Sequence, residues 1–174
     1  NVICHRTKIA DELFEGREFT RIENISTGAG DYHSYARAAA IIETDCGKMV
    51  YKPRNCLTDV RTRIFAQKYF PGSVLIPKCY TDGASFGVCE YLPADPDQET
   101  ADPEKWFYAL GELTVLILLL GSSDMHNENI ISSGGMPAVI DLETILTPLA
   151  KTVSGQTSVQ EVQPCFTDEI RLSI

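Results

Sequence analysis

At 174 residues, 44% of them hydrophobic, the chain is long enough to bury one substantial core and too short for a complete two-lobed enzyme. Its 24 acidic against 15 basic residues give a net charge of −9 and a pI near 4.8, which argues against the basic face of a nucleic-acid binder. Six cysteines at irregular spacings, with no C-x-x-C pair, and three scattered histidines give no zinc signature. No secretion signal opens the sequence, so reduced thiols and a cytoplasmic setting are expected.

In chain order, residues 8–16 have the pattern of a short amphipathic helix closed at Gly16. Residues 18–25 predict a strand, and 26–30 (STGAG) a Gly-containing turn. Residues 36–44 and 48–52 read as two strands joined by Asp45-Cys46-Gly47. A helix is expected over 57–70, halted by Pro71-Gly72, and then a second hairpin, 74–80 with 85–91, around Thr81-Asp82-Gly83. Residues 92–102, with two prolines and several acids, form a linker. Pro103 opens a long apolar helix, as suits a first helical turn. Its apolar run 113–120 is eight residues long, well short of the ~20 a membrane span needs, so a buried core helix is expected. Strands near 129–133 and 137–140 flank Gly134-Gly135, and 150–174 has no clear periodicity. There is no internal repeat.

The chemistry is concentrated in residues 124–143. Asp124 stands five residues before Asn129, and Asp141 follows twelve residues later at the end of a short apolar run. Protein kinases space a catalytic-loop Asp and a metal-binding Asn in this way and follow them with a second metal-binding Asp. One carboxylate faces the acceptor hydroxyl; an amide and a second carboxylate hold divalent metal against nucleotide phosphates. Lys52, in VYKPR (50–54), lies in the strand before the first long helix, where a kinase keeps the lysine that holds the α and β phosphates. That lysine needs an acid from the helix, yet 57–70 contains no Glu and Asp59 is its sole acid. Either Asp59 takes that place or the partner lies elsewhere. The expected fold is therefore α+β and kinase-like: a small lobe over 1–92, the start of a large lobe over 93–148, and an irregular tail over 149–174.

Plainer uses stand beside these. A strand-end lysine is the commoner fate of any one Lys, and lone histidines such as His33 and His126 are usually structural. Lys52, Arg54, Arg61, Arg63 and Lys68 face one acid, Asp59, within 52–68; that island attracts phosphate or an acidic peptide, although Arg61, Arg63 and Lys68 suit a solvated helix face. Glu90 reads as a strand cap, Glu143 as a structural hydrogen-bonding group and the cysteines as core filler.

Four motifs in order, GDYHSYAR (30–37), VYKPR (50–54), SSDMHNENII (122–131) and AVIDLET (138–144), resemble the dehydratase domain of class II (LanM-type) lanthipeptide synthetases. The resemblance covers roughly residues 18–148. It implies a kinase-like core related to lipid kinases, with ATP and Mg²⁺ as cofactors. Such enzymes phosphorylate Ser and Thr of a precursor peptide, leader plus core, then eliminate phosphate to leave dehydroalanine or dehydrobutyrine; a separate zinc cyclase domain, expected to be absent here, adds cysteine thiols. By residue, it implies that Lys52 contacts ATP phosphates, that Asp124 serves the hydroxyl, that His126 and Asn129 complete the catalytic loop, and that Asn129 and Asp141 bind Mg²⁺. Asp31 and His33 match positions tied to dehydration, including elimination, which needs a base for the α-proton and cations at the leaving group. Arg37 and Arg54 are further phosphate-contact candidates. Ala36 stands where the family usually has Gly, and the family's downstream elimination residues lie beyond this sequence. Two other readings are a stand-alone phosphotransferase for a small molecule or lipid, and a truncated module that binds nucleotide without turnover. Asp31-x-His33 favours the synthetase over a simple kinase.

Overall fold

The computed structural model describes residues 2–27, 39–96, 102–122, 125–126 and 128–146. A single 3-10 turn, Ile3–His5, leads into α1, Arg6–Leu13. The helix begins two residues before the expected 8–16 span and ends at Leu13, three residues before Gly16. Gly16 adopts φ +80° and its N–H reaches Ala10 O at 3.0 Å, a conformation that a residue without Cβ takes at little cost.

The main sheet has five antiparallel strands in the order β1-β2-β3-β5-β4. β1 (Ile22–Thr27), β2 (Ala40–Thr44) and β3 (Gly47–Lys52) form a meander. Along β2, burial alternates as the two-residue strand period requires, with Ala40, Ile42 and Thr44 turned inward. From β3 the chain passes through α2 (Leu57–Tyr69) to the edge strand β4 (Cys79–Thr81), and β5 (Gly87–Glu90) returns between β4 and β3. One core lies between this sheet and α1, built on Ile9, Phe14, Phe19, Met49, Phe86 and Val88.

Asp102 caps α3 (Pro103–Leu119) by accepting the Lys105 N–H at 3.1 Å, with Pro103 at the first helical position. Its buried residues Ala109, Leu113, Leu116 and Ile117 recur at helical spacing. Leu113, Leu116 and Ile117 meet Ala66 of α2, Met125, and Val139 of a two-stranded hairpin, β6 (Ile130–Ser133) and β7 (Met136–Val139), in a second core. Gly134 and Gly135, at φ +59° and +73°, make the tight turn between these strands. Among the described residues the molecule is thus a mixed α+β structure with an antiparallel sheet and three α-helices, and none of these helices is long and apolar enough to cross a membrane.

The strands differ from expectation for identifiable reasons. Residues 74–78 do not extend β4: Pro77 lacks an N–H for a ladder, and Leu75 instead bridges to Ala138 and accepts the Val139 N–H at 3.1 Å. β5 starts late because Asp82 collects the N–H groups of Ala84, Ser85 and Phe86 at 2.8–3.1 Å, removing them from pairing. The Asp45 carboxylate likewise takes the N–H groups of Thr20 and Arg21, so β1 begins only at Ile22. The expectation of reduced thiols throughout is corrected at one pair. Cys79 and Cys89 stand opposite each other in the β4–β5 register and their sulfurs are bonded as a disulfide. Spacing alone gave no sign of this, because the pairing depends on hairpin register. Cys4, Cys46 and Cys56 are free thiols.

Candidate active site

Two cations stand where β3 ends: Lys52 is its last residue and Arg54 follows in the bend after it. Lys52 is 7% exposed. Its Nζ donates to Ile140 O at 2.7 Å and lies 3.4 Å from Asp141 Oδ1 and 3.5 Å from Asp59 Oδ1. Arg54 makes the shorter ion pairs. Nη1 meets Asp59 Oδ2 at 2.7 Å, Nη2 meets Asp59 Oδ1 at 3.2 Å and Asp141 Oδ1 at 2.7 Å, and Nε is 3.5 Å from Glu143 Oε2. The question left open by the sequence has its answer: the acid that α2 turns toward Lys52 is Asp59, buried at 3% exposure in the helix's first turn. Sequence reading missed that Arg54, more than Lys52, is what Asp59 holds.

Burial alone would raise the Asp141 carboxyl, but Lys52 and Arg54 beside it bring it below its ordinary value. Burial also works against the Arg54 charge, and Asp59 with Asp141 overcomes it, so the guanidinium holds its proton more tightly than usual. The Cys56 thiol at the start of α2 goes the other way: burial pushes it up to about 11, and it stays protonated at neutral pH. Cys56, Asp59 and Cys89 bring ligand atoms within 4.8 Å of one another. They do not make a metal site, because Cys89 is in the disulfide, Arg54 sits 3.7 Å from Cys56 Sγ, and both Asp59 oxygens are taken by cations.

The opposing wall is the β6–β7 hairpin. Ile140 N–H donates to Asn129 O at 2.9 Å, continuing the ladder by one pair, so Asn129 and Asp141 leave the hairpin at the same open end. His126 shapes the turn leading in: its carbonyl accepts the Asn129 N–H at 3.0 Å, and its Nδ1 accepts the Glu128 N–H at 3.3 Å. The hairpin is fixed from outside by the linker. Asp95 accepts from Ser132 Oγ and from the N–H groups of Gly134 and Gly135, each at 2.8 Å, while the Trp106 indole donates to Ser132 Oγ at 3.3 Å. Glu90 caps its hairpin as expected, accepting the Lys78 N–H at 3.1 Å.

Of the residues singled out by sequence, Lys52, Arg54 and Asp141 are in direct contact, Asn129 shares Asp141's end of the hairpin, and His126 lies in the turn before it. Asp31, His33, Arg37 and Asp124 lie outside the described residues. The donor set suits a hard divalent cation. Among the described residues, every hydrogen bond to Asp141 falls on Oδ1, from Lys52, Arg54 and the Glu143 N–H, which leaves Oδ2 to serve as an oxygen ligand on a side chain 29% exposed.

A family described as a domain of unknown function, DUF4135, matches residues 2–172, and the chain belongs to it. Over 129 residues the chain is also 29% identical to the lacticin 481/lactococcin biosynthesis protein LcnDR2 of Lactococcus lactis subsp. lactis. That alignment covers 67% of this chain and 14% of the relative, so the chain spans only a small part of the relative's length. Both findings agree with the resemblance, over part of such an enzyme, to class II lanthipeptide synthetases.

Proposed function

We propose that this chain is the nucleotide-binding part of a lanthipeptide synthetase dehydratase domain, which phosphorylates Ser and Thr of a precursor peptide and then eliminates phosphate. On this reading 1–92 is a kinase-like small lobe and 93–148 the start of a large lobe. The observation that carries it is the meeting of Lys52 and Asp141, 89 residues apart in sequence and 3.4 Å apart in space, with Arg54 on the same carboxylate oxygen. Two cations and a carboxylate whose second oxygen no described residue engages suit a triphosphate–metal complex. The sequence similarity to a lacticin 481 biosynthesis protein supports peptide maturation over small-molecule phosphorylation.

Lys52 and Arg54 would neutralise phosphate oxygens, and Asn129 with Asp141 would hold Mg²⁺. Bound there, Mg²⁺ supplies positive charge against the phosphates being transferred. Asp124 would accept the proton of the peptide hydroxyl. In the elimination, Asp31 or His33 would take the α-proton as the Cβ–O bond breaks, the Cα=Cβ bond forms and phosphate departs with the C–O electron pair. The partners are a precursor peptide, leader plus core, and the cyclase domain of a longer parent enzyme.

Mass spectrometry of a lanthipeptide precursor incubated with the chain, ATP and Mg²⁺ tests this. Loss of water supports the full reaction, whereas gain of a phosphoryl group alone supports phosphotransfer without elimination. An unmodified peptide, with ATP turnover on a small hydroxyl compound or with nucleotide binding and no turnover, would overturn it in favour of the stand-alone kinase or the binding module. Asp141→Asn is expected to keep the fold and lose Mg²⁺-dependent nucleotide binding in calorimetry; unchanged affinity removes Asp141 from the site.

A further inference from the structure

The contacts of Arg54 point to a second property of the site, resting on the phosphotransfer reading. Arg54 is anchored independently of Asp141: Asp59 grips it through both Nη atoms, at 2.7 and 3.2 Å, from a buried position. Its third short contact, Nη2 to Asp141 Oδ1 at 2.7 Å, therefore places a fixed positive charge on the carboxylate the metal needs. Lys52 adds a second charge to the same oxygen. Among the described residues of this cluster Asp59, Asp141 and Glu143 face Lys52 and Arg54, three carboxylates against two cations. A divalent ion arriving alone at Oδ2 must compete with the ammonium and the guanidinium already held on the other oxygen of the same carboxylate. Nucleotide phosphates reverse this balance by bringing negative charge for Arg54 and Lys52 to face.

We propose that Arg54 is a placeholder cation that weakens divalent-metal binding at Asp141 until a nucleoside triphosphate arrives, so that metal and nucleotide bind synergistically. When the pair gives way, Asp59 keeps the guanidinium beside the site and Arg54 turns its freed N–H toward phosphate. Arg54 is thus a positioning residue for metal loading as well as a phosphate contact. The arrangement disfavours occupation of Asp141 by free cation in the absence of nucleotide.

The test uses Mn²⁺ as the probe, with the 174-residue chain, measuring free ion by electron paramagnetic resonance with and without a non-hydrolysable ATP analogue. Wild type is expected to bind Mn²⁺ alone weakly and at least ~10-fold more tightly with the analogue, which is the range of ordinary coupling between sites. Arg54→Gln is expected to bind Mn²⁺ alone about tenfold better than wild type and to lose most of the gain from the analogue. In an Asp141→Asn background that improvement should vanish. Folding is followed by circular dichroism and the fluorescence of the single Trp, Trp106. If Arg54→Gln does not fold, Arg54→Lys, which keeps the charge but not the fork that spans Asp59 and Asp141, should show a smaller rise in the same direction. A folded variant whose affinity for Mn²⁺ alone is equal to or weaker than wild type overturns the placeholder role. If wild type binds Mn²⁺ with the analogue through Asp141 and the Arg54 variants gain nothing, only this inference fails. If no Asp141-dependent binding occurs under any condition, the phosphotransfer reading falls and takes this inference with it.

Discussion

Two kinds of aspartate organise this molecule, and they are held in opposite ways. Asp45, Asp82 and Asp95 are satisfied by hydroxyls and backbone N–H groups in turns and linkers. Asp59 and Asp141 are satisfied chiefly by the charges of Lys52 and Arg54. A carboxylate collecting backbone donors fixes local chain geometry, because those donors cannot move without unmaking the turn. One held by cations is exchangeable, since another cation can take the place of the first. Fixed carboxylates set the frame of the site: Asp95 clamps the hairpin that delivers Asp141, and Asp82 starts the strand beside β3. Exchangeable ones occupy its centre.

The largest loss is expected at Asp59. Asp59→Ala removes a carboxylate that binds Arg54 through both oxygens and leaves Arg54 and the buried Lys52 short of a partner. Removing one member of a buried ion pair costs about 3–5 kcal/mol, so a loss of at least ~3 kcal/mol is expected in urea denaturation. A cost below about 1 kcal/mol, the surface-pair range, would mean that solvent reaches the network and that Asp59 is not its anchor.

Gly87→Ala tests the same anchor through packing. A Cβ at Gly87 would come within 2.6 Å of Cys56 Cβ, and closer still to its Sγ, directly before the helix that carries Asp59. Overpacking of this kind costs roughly 1–3 kcal/mol and should push α2 and Asp59 away from Arg54. Pairing the substitution with Cys56→Gly, which removes the opposing atoms, should recover part of the loss. If the double variant is as unstable as the sum of the two single ones, the strain lies elsewhere.

How much of this was legible in the sequence follows from the range of each interaction. Helix ends marked by Gly16 and Pro103, the Gly134-Gly135 turn and the 57–70 helix are local signals, and the chain obeys them within three residues. Strand limits near Thr20, Leu75 and Ala84 were misjudged because side-chain carboxylates and a distant hairpin claimed the backbone groups. The Lys52–Asp141 meeting was legible as an order of motifs, since that spacing carries its own chemistry. The Arg54–Asp59 fork was not. Arg54 lies in the bend after β3 and Asp59 on a helix, so no helical or strand period links them. The Cys79–Cys89 pair was equally hidden, since only hairpin register sets them opposite.

The smallest effect is expected at the fixed carboxylates, and its pH dependence gives it a signature. Backbone N–H groups, Gly135 foremost, with the Ser132 hydroxyl, hold Asp95 below its ordinary value. A group whose folded value is depressed stabilises above its unfolded value, about pH 4, and loses that contribution as pH falls through the folded one. Asp95→Asn keeps one acceptor oxygen and discards the charge. The variant should therefore melt slightly below wild type at pH 7, and the gap should close as pH falls from about 4 toward 2. Trp106 fluorescence is a fitting readout, since its indole and Asp95 share Ser132 Oγ. A gap that stays constant across that range would mean that Asp95 acts by shape alone. A gap that widens on acidification would reverse the sign of its electrostatic role, and Asp95 would no longer belong with the turn-fixing carboxylates.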